Sequence, residues 1–495
     1  MTDLRSEAPG TRGRLPEVEP LPPMSIRERV ARGLAARDRV PLATHGAWHP
    51  DPTRADPVST LERQAESRDP ALIPLRHGRM AGSPFAFYRG GAAIMAADLA
   101  TTRASGLRAQ LCGDAHLVNF GVFDTPERSH VFDINDFDET LPGPWEWDVK
   151  RLAASVEIAA RDLGFDKQQR TSAVKSAVAG YRTRMAQLAE MSNLEVWHSR
   201  LDVDDVLRRI ARGQDDTTSS HVARDVRKGL KRNHLTAFSK LIDTTDGEAR
   251  FARRPPLLVP IDDLLDDRSR RRYVKVIREF LHQYRASLST QHQHLLDGYR
   301  YVHLARKVVG VGSVGTRSMV VLMMGLNDAD PLLLQLKEAK RSVLEPYCGP
   351  SEYSHRGRRV VEGQRLMQTA SDPLLGWYRL RALDGKVHDF YVRQLWDGKA
   401  SIDLTHLNPK ALAAYAEVCG MTLARAHART GFRVSIAAYL GDTDEFDDAI
   451  ARFARTYADL NEQDHARLVE AIGSGRLDAE AEPGDEVSDR RRADR

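Results

Sequence analysis

Two hydrophobic periods share this chain, and where each occurs sets the expected architecture. From Val149 to about Met191 apolar residues recur at helical spacing, which predicts two long helices. The same period returns over Arg270–Arg300, over His355–Thr369 and over Leu407–Thr430, the last capped near Asn408. A shorter amphipathic helix begins at Ser25 and runs to about Asp38, and Arg76–Ala100 is a Gly-punctuated aromatic segment leading into a short helix. Strand-type runs appear at Leu107–Cys112 and His130–Ile134. Lys307–Ala339, KVVGVGSVGTRSMVVLMMGLNDADPLLLQLKEA, reads as strand, glycine turn, strand, turn, strand. Trp377–Leu395 reads as a hairpin turning at Asp384 and Gly385. Glu248–Asp267, with its three prolines, reads as a linker or flap.

The ends of the chain differ from its body. Residues up to about Met24 are rich in Pro, Glu and Arg without hydrophobic period, and Glu480–Arg495 is densely charged, so both ends are expected to be disordered. The domain expectation is a leader and short helix over 1–40, a helical part over 41–300, a strand-rich part over 301–397, a helical return over 398–472 and a tail over 473–495. At 495 residues the chain can bury a large core. With 73 Lys and Arg against 69 Asp and Glu, the net charge of +4 is too small to argue for nucleic acid. No apolar run approaches the length of a membrane span and no signal-type segment opens the chain, so the cytoplasm is the default location. Cys112, Cys348 and Cys419 are widely separated and read as buried thiols in a reducing compartment.

Candidate chemistry concentrates in Leu107–Ala153. One strand delivers Gly113 and Asp114, with Asn119 five residues on; a second delivers Asp136, Phe137 and Asp138. Two strand ends that present carboxylates to one mouth suit phosphoryl transfer, in which positioning and charge neutralisation supply most of the catalysis. One Asp orients an acceptor hydroxyl, while an Asn and a second Asp offer hard oxygen ligands to Mg2+. Asp133 is close enough to Asp136 to compete for the metal. A metallophosphatase also begins with G-D and a nearby His, but no G-N-H segment follows. In the strand-rich part, the glycines at 310, 312 and 315 let the backbone approach a triphosphate, and Lys337 supplies a point charge for its phosphates. Arg79 and Arg89 could reach a phosphate but, beside turns, read as surface ion pairs, and RDVRKGLKRNH reads as a solvated helix face. His45, His49 and Asp51 lie among prolines and read as a surface loop.

G-D-x-H-x-x-N followed by a strand and D-F resembles the catalytic and metal loops of aminoglycoside phosphotransferases and choline kinases, the small-molecule branch of the protein-kinase-like fold. The resemblance implies an α+β, two-lobed fold with a five-stranded nucleotide lobe and a large helical lobe, using ATP and Mg2+. It implies Asp114 as catalytic base, Asn119 and Asp136 as metal ligands, and Asp148, beside Trp147, as a buttress of the catalytic loop. Gly310, Gly312, Ser313 and Gly315 would cover the phosphates, Lys337 would be the third-strand lysine, Glu362 would hold that lysine, and Gln394–Asp397 would be the hinge against adenine. The third position of D-F-G is Asp138 here.

The order of these parts is inverted, because the glycine loop and lysine follow the catalytic Asp instead of preceding it. Circular permutation reconciles this, with new termini between the Leu407–Thr430 helix and the catalytic strand. It requires Asp114 and Asp136 to face Lys337 across a cleft of roughly 10 Å or less, and the end of that helix to lie beside Leu107–Cys112. The motifs RMAGSPFAFYRG, GDAHLVNFG, NDFDE, GVGSVGTR, LQLKEA, EGQRLMQ and LARAHA also resemble a bacterial domain-of-unknown-function family, number 2252. The expected activity is transfer of the γ-phosphate to a hydroxyl of a small molecule, in a pocket built by helices between Val149 and Arg300. The alternatives are protein nucleotidylation or phosphorylation from the same site, and a nucleotide-binding pseudokinase module.

Overall fold

The chain was analysed as a computed structural model that describes residues 24–481, apart from 213–223, 225, 227–233, 244–247, 309, 382–384, 396–399 and 401. The architecture is α+β. Its largest sheet has six antiparallel strands in the order β11-β12-β10-β9-β8-β7, where β7 is Leu258–Pro260, β8 Arg300–Lys307, β9 Ser318–Met324, β10 Pro331–Ala339, β11 Gly376–Arg381 and β12 Val387–Gln394. Four of these strands, β9 to β12, are the ones the hydrophobic pattern predicted, whereas the first strand of that run, expected from Lys307 onward, lies earlier, as β8. The sixth, β7, comes from the segment read as a linker: Leu258–Pro260 pairs with Lys307–Ala305 and covers the sheet edge, and a proline suits such an edge strand.

Both faces of this sheet are buried, and its strands show why. Along β9 and β10, Val321, Met323, Leu334 and Leu336 pack with Phe280 and Tyr284 of the Asp267–Ala286 helix. The alternate residues Val320, Leu322 and Leu333 pack with Ala237 and Leu241 of the His234–Leu241 helix. A strand covered on both sides reads as an unbroken apolar run, as SMVVLMM does. The Asp267–Ala286 helix therefore belongs with the sheet, so the sheet body starts before residue 301.

The second body is helical. The Trp145–Asp162, Lys167–Glu190, Pro409–Ala428 and Glu445–Gly473 helices share one core with two small antiparallel pairs: β1 (Arg108–Leu111) with β4 (Leu141–Pro144), and β2 (Phe120–Asp124) with β3 (His130–Ile134). Caps fall where the sequence put them: Ser25 with Glu28 makes a capping box on the Ile26–Arg39 helix, and Asn408 accepts from the Ala411 N–H at 2.9 Å. Among the described residues no helix is long and apolar enough to cross a membrane. The cysteines are free thiols, with Cys112 and Cys419 buried and Cys348 half-buried.

Other expectations are corrected. Arg76–Ala100 forms three short helices, the first beginning at Ile73. His45 is in a buried 3-10 turn, 2.7 Å from the Tyr439 hydroxyl, because the flanking apolar residues dock that turn on the Glu445–Gly473 helix. Of the tail, residues 478–480 are docked: the His77 Nδ1 lies 2.8 Å from the Asp478 carbonyl, and the Glu480 N–H donates to the Pro74 carbonyl at 3.0 Å. Residues 1–23 and 482–495, most of the basic run after Arg224, and Asp384 lie outside the described residues.

The closest helix contact in the helical body depends on Gly420, where a Cβ would stand 1.9 Å from the Ala177 carbonyl oxygen. Gly420→Ala should therefore force the Lys167–Glu190 and Pro409–Ala428 helices apart. A loss of about 1–3 kcal/mol or more in urea unfolding is expected; a change within about 0.5 kcal/mol, as at an ordinary surface site, would contradict so close an approach.

Candidate functional site

The loop between β1 and β2 is built outward from a buried carboxylate. Asp148, in the first turn of the Trp145–Asp162 helix, accepts the Cys112 N–H at 2.8 Å and the Gly113 N–H at 3.1 Å. His427 stands behind it, Nε2 3.2 Å from Asp148 Oδ2, and Tyr181 completes the chain at 2.9 Å from His427 Nδ1. Gly113 is required here: its φ is +82°, and a Cβ would meet the Glu139 carbonyl at 2.5 Å. The support expected of Asp148 for this turn is thus visible as two hydrogen bonds, with His427 hydrogen-bonded behind it.

Asp114 leaves this turn and is held by Arg151, whose Nε is 2.6 Å from Oδ1. Burial raises the Asp114 pKa, Arg151 opposes that rise, and the Asp136 charge adds to it. His116 lies 3.8 Å from Asp114 Oδ2, and burial together with Arg89 and Arg151 keeps its imidazole neutral. Asn119 donates its Nδ2 to the Asp114 backbone carbonyl at 2.7 Å, which leaves Oδ1 as the oxygen it can offer a cation.

The second loop separates the carboxylates that the sequence left competing. Asp133 is fully buried on β3 and accepts from the Ile134 and Thr369 N–H groups, each at 2.8 Å, and from Arg425. Asp136 lines the cavity with about a third of its side chain exposed (32%). Phe137 between them and Asp138 is buried in the helical core. Asp138 binds Lys337: Nζ is 2.6 Å from its Oδ2 and 3.5 Å from Asp136 Oδ2, while the Tyr391 hydroxyl donates to Asp138 Oδ1 at 2.6 Å. Burial works against the Lys337 charge, but the two carboxylates outweigh it and raise its pKa. Asp138 is correspondingly held low by Lys337 and Tyr391 against its own burial.

These parts meet at one cavity of about 730 Å3 whose wall includes Asp114, Asn119, Asp136, Gly310, Gly312 and Ser313. The close approach required of residues about 200 positions apart is present. The helix end is also where it was expected, since the Gln110 N–H donates to Thr430 Oγ1 at 3.2 Å. Gly310 and Gly315 turn at φ +63° and +83°, and the turn is tethered by arginines: Arg79 donates to the Gly310 carbonyl at 2.5 Å and Arg68 to that of Gly312 at 2.9 Å.

Three expectations fail at this point. Glu362 does not hold Lys337; it is 3.6 Å from Arg358 and 3.8 Å from Arg365 on its own helix, because its position faces away from Asp138. Gln394 is not in the cavity wall: its N–H is bonded to Asp372, and 396–399 of the expected hinge lie outside the described residues. The cavity is not lined by described residues of 149–300, where the acceptor pocket was expected; the helices carrying Gln64, Arg89 and Ala92 contribute instead. Asp138, Arg151, Tyr391 and Glu139 were missed as site residues. Arg151 had a readable signal, three positions after Asp148 on one helix face, whereas Tyr391 had none, because only β12 pairing with β10 places it opposite Lys337.

A family model described as an uncharacterized protein conserved in bacteria (DUF2252) matches residues 68–471. The chain belongs to this family. The DUF2252 match takes in both loops, the glycine turn, Lys337 and Arg68, so the cavity is built almost wholly from family sequence. No curated protein and no solved structure matches the chain.

Glu139, also in the cavity wall, has its pKa raised to about 7 by burial, against the pull of Arg359 and the Val343 N–H that it accepts at 2.7 Å. A carboxyl whose folded pKa exceeds its unfolded value holds its proton longer in the fold, so stability falls as pH rises from the ordinary carboxylate range toward about 7. Glu139→Gln keeps the acceptor for Val343 and should remove that decline, gaining about 1–3 kcal/mol at pH 8. Urea unfolding at pH 5 and pH 8 reads it; parallel losses in both proteins would refute the assignment.

Proposed function

We propose that this protein is an ATP- and Mg2+-dependent phosphotransferase acting on a hydroxyl of a small molecule, with a circularly permuted kinase-like fold. The observation that carries the reading is that Asp114, Asn119, Asp136 and the glycine turn line one cavity, with the buried Lys337 3.5 Å from Asp136. A glycine turn between the first two strands of a meander, a lysine on the third, a helix and then a closing hairpin is the succession a nucleotide lobe of this kind needs.

The residues fit a metal nucleotide. Among the described residues no group of three His, Cys, Asp or Glu is arranged to hold a metal alone. Mg2+ is commonly held by one or two protein oxygens together with substrate phosphates, which matches Asp136 and the Asn119 Oδ1. When bound, Mg-ATP supplies the transferable phosphoryl group and neutralises its developing charge. Asp136 and Asn119 would hold the cation, and Lys337, fixed between Asp136 and Asp138, would place its charge on the phosphates. Asp114, with Oδ1 fixed by Arg151, would present Oδ2 to the acceptor hydroxyl and take its proton. A nucleotide-binding module without turnover would need neither Asp114 nor its Arg151 support.

Calorimetry with Mg-ATP should show binding that Lys337→Ala weakens; absence of nucleotide binding by the wild type would end the reading. Asp136→Asn should reduce Mn2+ affinity in the presence of nucleotide, whereas Asp133→Asn should lower stability and leave Mn2+ affinity near wild type. Asp114→Asn should retain nucleotide and lose about 10²–10⁴-fold in turnover of labelled ATP with a metabolite extract.

A further inference from the structure

Part of the cavity wall is cationic in a way that the phosphotransfer machinery does not use. Arg68, Arg89 and Lys340 line it, and Arg76 lies directly behind, its Nη2 donating to Gln64 Oε1 at 3.1 Å and to the Gly90 carbonyl at 3.2 Å, both of them wall residues. Arg76 is 1% exposed, its Nε and Nη1 have no hydrogen-bond partner, and no carboxylate among the described residues pairs with it. The Nε atoms of Arg68 and Arg89 are likewise buried without partners. Lys340 Nζ reaches only Ser67, at 2.7 Å to its carbonyl and 2.8 Å to its hydroxyl. Burial pushes Lys340 down to about 8, with Glu338 opposing and Arg68, Arg317 and Arg76 adding to the fall.

The carboxylates of the cavity have direct partners of their own: Asp114 is held by Arg151 and Glu139 accepts the Val343 N–H, and they act on Arg89 and Arg68 only at longer range. Glu338 is 2.8 Å from His388 and 3.3 Å from Arg317, and Asp138 holds Lys337. A buried cation left uncompensated is strongly destabilising, so guanidinium groups that no carboxylate among the described residues pairs with directly call for an anion from outside the chain. The planar donors of Arg suit phosphate or carboxylate oxygens.

We propose that the wall formed by Arg68, Arg89 and Lys340, backed by Arg76, binds a phosphate or carboxylate group of the acceptor. The small molecule that presents its hydroxyl to Asp114 is therefore anionic. This rests on the phosphotransferase reading for the word acceptor; the anion site itself does not. The same wall chemistry could instead take phosphates of the nucleotide, and the experiment separates the two.

Thermal unfolding of the full chain is followed against inorganic phosphate, with ionic strength held constant by chloride so that screening does not vary. Phosphate should raise the melting temperature of the wild type, with an apparent Kd weakened about tenfold or more in Arg89→Gln and in Lys340→Gln, and largely kept in Arg89→Lys. Arg89→Gln without phosphate should melt no lower than wild type, because it removes an unpaired buried charge. Saturating Mg2+ with a non-hydrolysable ATP analogue should leave phosphate affinity unchanged. Competition between the two would assign the wall to the nucleotide and overturn the acceptor assignment, and equal phosphate responses in wild type and both Gln variants would overturn the site. If the nucleotide does not bind while the Arg89-dependent phosphate response persists, the phosphotransferase reading falls and the anion site stands.

Discussion

A lysine ammonium buried between two carboxylates is the interaction on which the arrangement of this protein turns. Lys337 belongs to the sheet, and Asp136 and Asp138 belong to a loop of the helical body. Removing Lys337 would leave two neighbouring carboxylates without their cation, and removing Asp138 would take away the lysine's closest partner; breaking such a pair is far more damaging than the pair itself is stabilising. The pairing specifies how the two bodies sit more than it adds to stability.

Further polar contacts repeat this cross-linking and keep the loop from moving. Arg359, on the helix after β10, donates to the carbonyls of Thr140 and Asp138, each at 2.7 Å, and to that of Lys340 at 3.0 Å. Arg393 on β12 donates to the Asn135 carbonyl at 3.1 Å, and Gln368 to that of Ile134 at 2.6 Å. The loop that carries Asp136 is thus bonded to the sheet body through its backbone at several successive residues. Side chains on it are held by packing and hydrogen bonds, the condition a preorganised polar site requires.

The cavity is divided in charge. Carboxylates and an amide gather where the two loops of the helical body end, and arginines and lysine gather where the helices of 57–90 meet the glycine turn. The arginine contacts on the turn explain how Gly310 and Gly312 can form part of an ordered wall: their carbonyls, and that of Val314, are occupied by guanidinium donors. The segment of Arg68 to Arg89, which shows no strong period in sequence, therefore contributes to the same cavity as the strand-end carboxylates.

What the sequence alone determined was local. Periods of two and 3.6 placed four strands of the large sheet and the long helices, capping residues placed helix ends, and the D-x-x-x-x-N and D-F spacings placed Asp114, Asn119 and Asp136 on loops at strand ends. Each of these depends on neighbours within a turn or two of chain. The resemblance of the motifs to a known succession of parts added the expectation that Lys337 would approach Asp136. Only the tertiary structure decided which carboxylate holds Lys337: the motif succession pointed to Glu362, and Asp138 holds it because of the way the two elements face. The same holds for Asp133 against Asp136, for the docking of Leu258–Pro260 on the sheet edge, and for Arg89, whose turn-side position resembles that of any surface arginine. Partners some 200 residues apart are chosen by packing, and packing is a property of the whole fold that no short stretch of sequence contains.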